Sequence, residues 1–224
     1  MKTSSVTYQS GQTPVKPVSR ALLTRIIWLM SLSSLYAVTS HAQHMTMSHG
    51  DHPAAGSHIY LKMMDTMMVQ MDAVPDTISA NLSFLLQMIP HHQAAIRMAR
   101  FEIDHGSNTE MIQLAKSILT EQSVEVEQLS LLQSVAAAGQ TNPDFNQSMQ
   151  DGMDLMMERL DATTLPKGID EAFAAVMLPH HQAAVDMAKT LLVVEGDSVL
   201  KSFAILLISN EQIEIEQMLT YLKR

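Results

Sequence analysis

The sequence predicts an all-α protein, a four-helix bundle assembled from two copies of a short-long-long helix unit. Three observations predict it. Beyond residue 58 the apolar residues recur at helical spacing, strand signals of alternating β-branched and aromatic residues between turns are missing, and a long stretch repeats itself at a constant offset of 89. Met64, Met67 and Met68 return as Met153, Met156 and Met157, and Phe84 as Phe173. Met88, Pro90, His91, His92 and Met98 return as Met177, Pro179, His180, His181 and Met187, and Glu125 as Glu214.

The first helix is expected from about Ile59 to Ala73, stopped by Pro75. The second runs from about Thr77 to Asp104 and ends at Gly106. Ser107 with Glu110 forms a capping box for a third that reaches about Ala138 and stops at Gly139. Asn142, Pro143 and Asp144 open a fourth, to about Leu160, with proline in its first turn. After the loop DATTLPKG a fifth runs from about Ile169 to Glu195, and Gly196 with Asp197 turns the chain into a sixth. The units are therefore 58–138 and 145–224. Short connections between the long helices of each unit make them antiparallel neighbours.

Residues 1–42 read as an export signal. Lys2, Lys16, Arg20 and Arg25 precede the apolar run IIWLMSLSSLYAV without an acid, and Ser40, His41 and Ala42 offer a small-x-small cleavage site before Gln43. That run is short of the roughly 20 residues a membrane-spanning helix needs. Cleavage leaves 10 Lys+Arg against 23 Asp+Glu, a formal charge of −13 in place of −9. Such a balance argues against nucleic acid and anionic membranes as partners and suits a soluble protein of the periplasm or extracellular space that attracts cations. The chain has no cysteine, which removes disulfides, thiolate metal sites and thiol nucleophiles. Residues 43–57, QHMTMSHGDHPAAGS, lack apolar periodicity and read as a disordered arm.

The two PHHQAA segments, at Pro90–Ala95 and Pro179–Ala184, carry the chemistry. Proline within a helix costs about 3 kcal/mol unless something is gained; it either kinks the helix where the histidines sit or starts a new one. Phe84, Met88, His91, Ala95, Met98 and Glu102 fall on one face, as do Phe173, Met177, His180, Ala184 and Met187, with Leu191 where Glu102 stood. His92 is turned about 100° from His91. One imidazole of each pair is thus expected to enter the bundle, and the sequence leaves open which.

Methionine at helical spacing is ordinarily core filler. Here it accompanies histidine on the long helices and in the arm, through His44, Met45, Met47, His49 and His52, and it recurs in pairs on the short helices through Met64, Met67, Met68, Met153, Met156 and Met157. Thioether sulfur and imidazole nitrogen without thiolate suit Cu(I) or its analogue Ag(I). Binding through histidine should weaken below about pH 6, where free imidazole protonates. A di-metal carboxylate site is the competing reading, with Glu102-Ile103-Asp104-His105 as one Glu-x-x-His element; its counterpart, Leu191–Val194, is wholly apolar. Glu121, Glu125, Glu127, Glu211, Glu214 and Glu216 alternate in the manner of a solvated helix face. No phosphate loop, H-E-x-x-H or nucleophile elbow is present.

The doubled M-[IL]-P-H-H-Q-A-A-x-x-M-A, preceded by NLSF or DEAF and followed by QSVEV or EQIEIEQM, resembles the ferritin-like family known as domain of unknown function 305, over about Ile59 to Arg224. The resemblance implies a ferritin-like four-helix bundle and, for copper-handling members, exported proteins that bind copper through Met and His. Its ligand-type positions fall on Met88, His91, His92 and Met98 and on Met177, His180, His181 and Met187. Two departures separate the copies: Asn81 faces Asp170 in the alignment of repeats, and Gln122 faces Glu211. The expectation is a non-enzymatic periplasmic protein that sequesters or hands over Cu(I), contributing to copper tolerance, with a copper efflux or chaperone protein as its recipient. A ferritin-like oxidase and a metal-free envelope interaction bundle are the alternatives.

Overall fold

A computed structural model describes residues 55–136, 139–162 and 164–224, and they form six helices. These are α1 (Ala55–Asp72), α2 (Ala80–His105), α3 (Thr109–Val135), α4 (Pro143–Asp161), α5 (Ile169–Val193) and α6 (Ser198–Leu222). Among the described residues the sole β pairing is an isolated bridge between Ser79 and Thr141. The expected export signal and the expected arm up to residue 54, with His44, Met45, Met47, His49 and His52, lie outside the described residues. Ala55, Gly56 and Ser57, expected in the arm, already belong to α1.

Four helices, α2, α3, α4 and α6, begin where a side chain satisfies free backbone donors, whereas α5 begins at Gly168 without such a cap. Ser79, Asn142 and Asp197 cap α2, α4 and α6 with their side-chain oxygens. The third helix departs from expectation. Asn108, not Ser107, is its cap, accepting from the amides of Glu110 and Met111. Ser107 is drawn away because its amide and hydroxyl both donate to Asp170 at the start of α5, each at 2.9 Å. A contact between the two copies thus displaces a local capping box.

The long helices form two antiparallel hairpins, α2 with α3 and α5 with α6, and α2 packs on α5 between them. The short α1 lies on α2 and α5, while α4 lies chiefly on α5. Both stripes predicted from the sequence face the core: Phe84, Met88, His91, Ala95, Met98 and Glu102 are inaccessible, and so are Phe173, Met177, His180, Ala184 and Leu191. The rest of the core is methionine-rich, with Met64, Met67, Met71, Met149, Met153 and Met156 buried beneath the short helices. Thioethers suit this role because they are unbranched and fill irregular gaps. None of the described helices is long and apolar enough to cross a membrane.

Candidate metal centre

Pro90 and Pro179 sit inside continuous helices, so neither starts a new one. Both histidines that follow each proline are buried, which corrects the expectation that one imidazole of each pair enters the bundle. The two rings of a pair serve different places. Their centroids are 6.3 Å apart in the first copy and 5.9 Å in the second.

His91 and His180 meet each other. Their ring centroids lie 3.7 Å apart with planes inclined by 31°. These residues are repeat equivalents, so the axis that relates the two copies passes between them. Neither ring has a hydrogen-bond partner on either nitrogen. Burial, and then the neighbouring histidines, push both imidazoles well below their ordinary pKa, so both are neutral. The protonation threshold near pH 6 expected for free histidine therefore falls lower here. Met88 and Met98 on α2 and Met177 and Met187 on α5 are buried in the same core, as are Met64, Met67, Met153 and Met156, whereas Met68 and Met157 are half-buried against it.

His92 and His181 point instead toward α3 and α6. His92 Nε2 lies 2.9 Å from Glu125 Oε2, and His181 Nε2 lies 2.8 Å from Glu214 Oε2. Each pair spans 33 residues, as the repeat requires. Beside them Gln122 Nε2 donates to Glu211 Oε1 at 2.9 Å, a bond between residues 89 apart. Glu121 and Asn210, also equivalents, are neighbours in the same polar group. The copies therefore touch on their axis twice, at the paired imidazoles and at this polar group.

The acids of α3 and α6 thus do not all form the solvated face expected of them. Glu125, Glu211 and Glu214 are buried and only Glu127 and Glu216 are exposed. Burial and the charges of Glu214 and Glu125 push the half-buried Glu121 up to about 7 and Glu211 well above the carboxylate range. The signal that could have found them lay in the repeat itself. Glu125 and Glu214 recur in step with His92 and His181, a coincidence that solvated residues have no reason to keep.

The Glu102-x-x-His105 element does not assemble. Glu102 is inaccessible, accepting from Tyr60 Oη at 2.9 Å and hydrogen-bonding Asp170, while His105 is exposed and stacks on Phe101 at 4.1 Å. Burial first, and the bond to Asp170 second, push Glu102 up to about 8. Asp170 moves the other way: burial would raise it, but the Asn108 amide, Glu102 and Ser107 outweigh that and hold it below its ordinary value.

The sequence matches the family model "Domain of unknown function (DUF305)" twice, over residues 26–133 and 130–222. Among solved structures the chain is similar to CopM in a Cu(I)-bound form, at 26% identity and a TM-score of 0.48, covering 64% of this chain and 95% of that one. It is similar to CopM in a silver-bound form obtained by soaking, at 26% identity and a TM-score of 0.48, covering 64% and 94%. A DUF305 fragment from Deinococcus radiodurans shows 22% identity and a TM-score of 0.48, covering 67% and 99%. No curated protein matches the chain. With the family model spanning nearly all of the helical region in two copies, this chain belongs to the DUF305 family.

Proposed function

We propose that this protein binds Cu(I), with Ag(I) as its analogue, through the His91–His180 pair and the methionines of the same core. It sequesters or hands over the ion outside the cytoplasm, in the periplasm or beyond, without turning over a substrate, and thereby contributes to copper tolerance. The observation that carries this reading is the pair of closely apposed, inaccessible imidazoles whose four ring nitrogens have no hydrogen-bond partner. A buried polar group left unsatisfied costs about 1–3 kcal/mol, and such groups in native proteins call for a specific explanation. A soft cation supplies one. Neutral imidazole is the form that ligates, burial keeps these rings in it, and thioether donors select a soft ion over oxygen-seeking ones. The arm, with His44, Met45, Met47, His49 and His52, would make first capture by several weak contacts and pass the ion inward, and an efflux or chaperone protein would receive it.

The test is a Cu(I) titration against a competing chelator, on the mature chain with and without residues 43–54, the part of the arm that precedes α1. The double variant H91A/H180A should weaken the tightest site at least tenfold while truncation of the arm changes it little. Unchanged affinity in the double variant, with the helical content intact, would sink the reading. Stoichiometric iron with oxygen consumption after aerobic purification would favour an oxidase instead.

A further inference from the structure

The paired imidazoles use one histidine of each PHH segment, and the other two belong to a cluster of different chemistry. His181, Glu211 and Glu214 are buried, and one ligand atom from each lies within 4.8 Å of the other two. Its donors are nitrogen and carboxylate oxygen, with no sulfur among them. Proton placement makes the cluster unusual. If His181 Nε2–H donates to Glu214 Oε2, at 2.8 Å, then Nδ1 carries a lone pair. That lone pair faces Glu211 Oε2 at 3.2 Å, close enough for an ion pair but without hydrogen-bond alignment. Glu214 Oε1 has no partner either. Three ligand-type atoms on these buried side chains, His181 Nδ1, Glu211 Oε2 and Glu214 Oε1, are therefore without a hydrogen-bond partner.

We infer that His181, Glu211 and Glu214 form a second site, for a divalent cation of the borderline class typified by Zn(II), separate from the soft-ion site. The spacing suits such an ion: two ligands at about 2.0–2.1 Å from a tetrahedral zinc are about 3.3 Å from each other, against 3.2 Å for His181 Nδ1 and Glu211 Oε2. Ligand type agrees, since imidazole and carboxylate together suit Zn(II) and its neighbours and not Cu(I). An orienting bond is in place as well. Gln122 Nε2 donates to Glu211 Oε1, which leaves Oε2 for the ion.

The first copy does not repeat the site. His92 and Glu125 match His181 and Glu214, but Gln122 stands at the place of Glu211. An amide there can orient a carboxylate but brings no charge to hold a cation. One ion per chain is therefore expected, bound by the second copy and positioned by the first. This site shares no residue with the His91–His180 and methionine site proposed for copper and stands or falls apart from it; it reassigns His181 from the soft-ion ligands expected of the sequence.

The experiment is a titration of the metal-stripped full chain with Co(II), followed by its visible ligand-field bands, and then with Zn(II) as competitor. The expected result is a four- or five-coordinate Co(II) spectrum at one equivalent, displaced by Zn(II), over any weak uptake by the arm. Glu211→Gln repeats a side chain the fold already accepts at Gln122; it should lose that equivalent or weaken it at least tenfold, and Glu214→Gln should do the same. H91A/H180A should leave it within twofold. Circular dichroism and the thermal midpoint establish that each variant is folded. Absence of the spectrum in the parent protein, its persistence in folded Glu211→Gln, or its loss in folded H91A/H180A would each overturn the inference. In the first case the three side chains are a buried polar cluster only.

Discussion

The two copies of the repeat share a backbone plan but differ in what they place on the axis between them. At the paired imidazoles they are the same, His91 against His180. At the polar group they diverge, Gln122 against Glu211, and at the ends of the hairpins they diverge again, with Glu102 aligned to Leu191 and Asn81 to Asp170. The difference teaches how a duplicated fold becomes specialised. A position on the axis faces its own equivalent, so two identical acids there would repel; changing one to an amide converts repulsion into a hydrogen bond. The cost is that only one copy keeps a complete nitrogen and oxygen donor set.

This comparison can be broken most directly in the core. Phe84 and Phe173 are equivalents and both inaccessible, but Phe173 also packs on the Tyr60 ring at 5.9 Å. Truncation of either to alanine should cost about 3–5 kcal/mol, with Phe173→Ala the more damaging by about 0.5–1.5 kcal/mol. Urea unfolding measures both. Equal losses would mean that the short helix adds nothing to the asymmetry.

A smaller contrast is expected at the hairpin turns. Asp170 receives the Ser107 amide and hydroxyl and the Asn108 amide, at 2.7–2.9 Å. Asp170→Ala should cost about 2–4 kcal/mol, because several bonds to a charged acceptor are lost and their donors stranded. Asn81 holds the equivalent place near Gly196, and its side-chain oxygen has no partner. Asn81→Ala should cost about 1 kcal/mol or less. Thermal melts of the two variants at neutral pH would show whether the carboxylate or the position matters.

The remaining effect is one of pH, and Glu102 and Asp170 contribute with opposite sign. Asp170 is held below its ordinary value, so its contribution is present above the unfolded carboxylate pKa and is lost as pH falls through the folded one. Glu102 is raised from 4.5 to about 8, so the folded state binds a proton there that the unfolded state has released. Its contribution is complete below about pH 4.5 and is lost as pH rises toward about 8. Stability should therefore decline over that window, by at most about 1.4 kcal/mol per pH unit from this group. Glu102→Gln keeps an acceptor for Tyr60 and a donor for Asp170 while removing the titration, and should flatten the decline. Denaturant midpoints at pH 5, 6.5 and 8 check this, and an unaltered slope in the variant would assign the proton elsewhere.

Most of the helical plan was legible in the sequence because its signals are local. Caps, prolines and glycines marked the six helices to within a few residues, and the offset of 89 fixed the duplication. The start of α1 was missed because Ala55, Gly56 and Ser57 look like the arm before them, and the Asn108 cap because Asp170, far along the chain, claims Ser107. The candidate site was legible in part. Helical periodicity put His91 and His180 on the core face, but the burial of His92 and His181 depended on α3 and α6 covering the adjacent face with acids of their own.

What the sequence determined by itself is therefore the helices, the repeat and the supply of Met and His donors, since these follow from spacing along one chain. Only the tertiary structure decided that repeat equivalents touch, that the two histidines of each pair part company, and that Glu125, Glu211 and Glu214 turn inward. The physical reason is that an acid at helical spacing is solvated or buried according to what the opposite helix offers it. Here the opposite helix offers an imidazole.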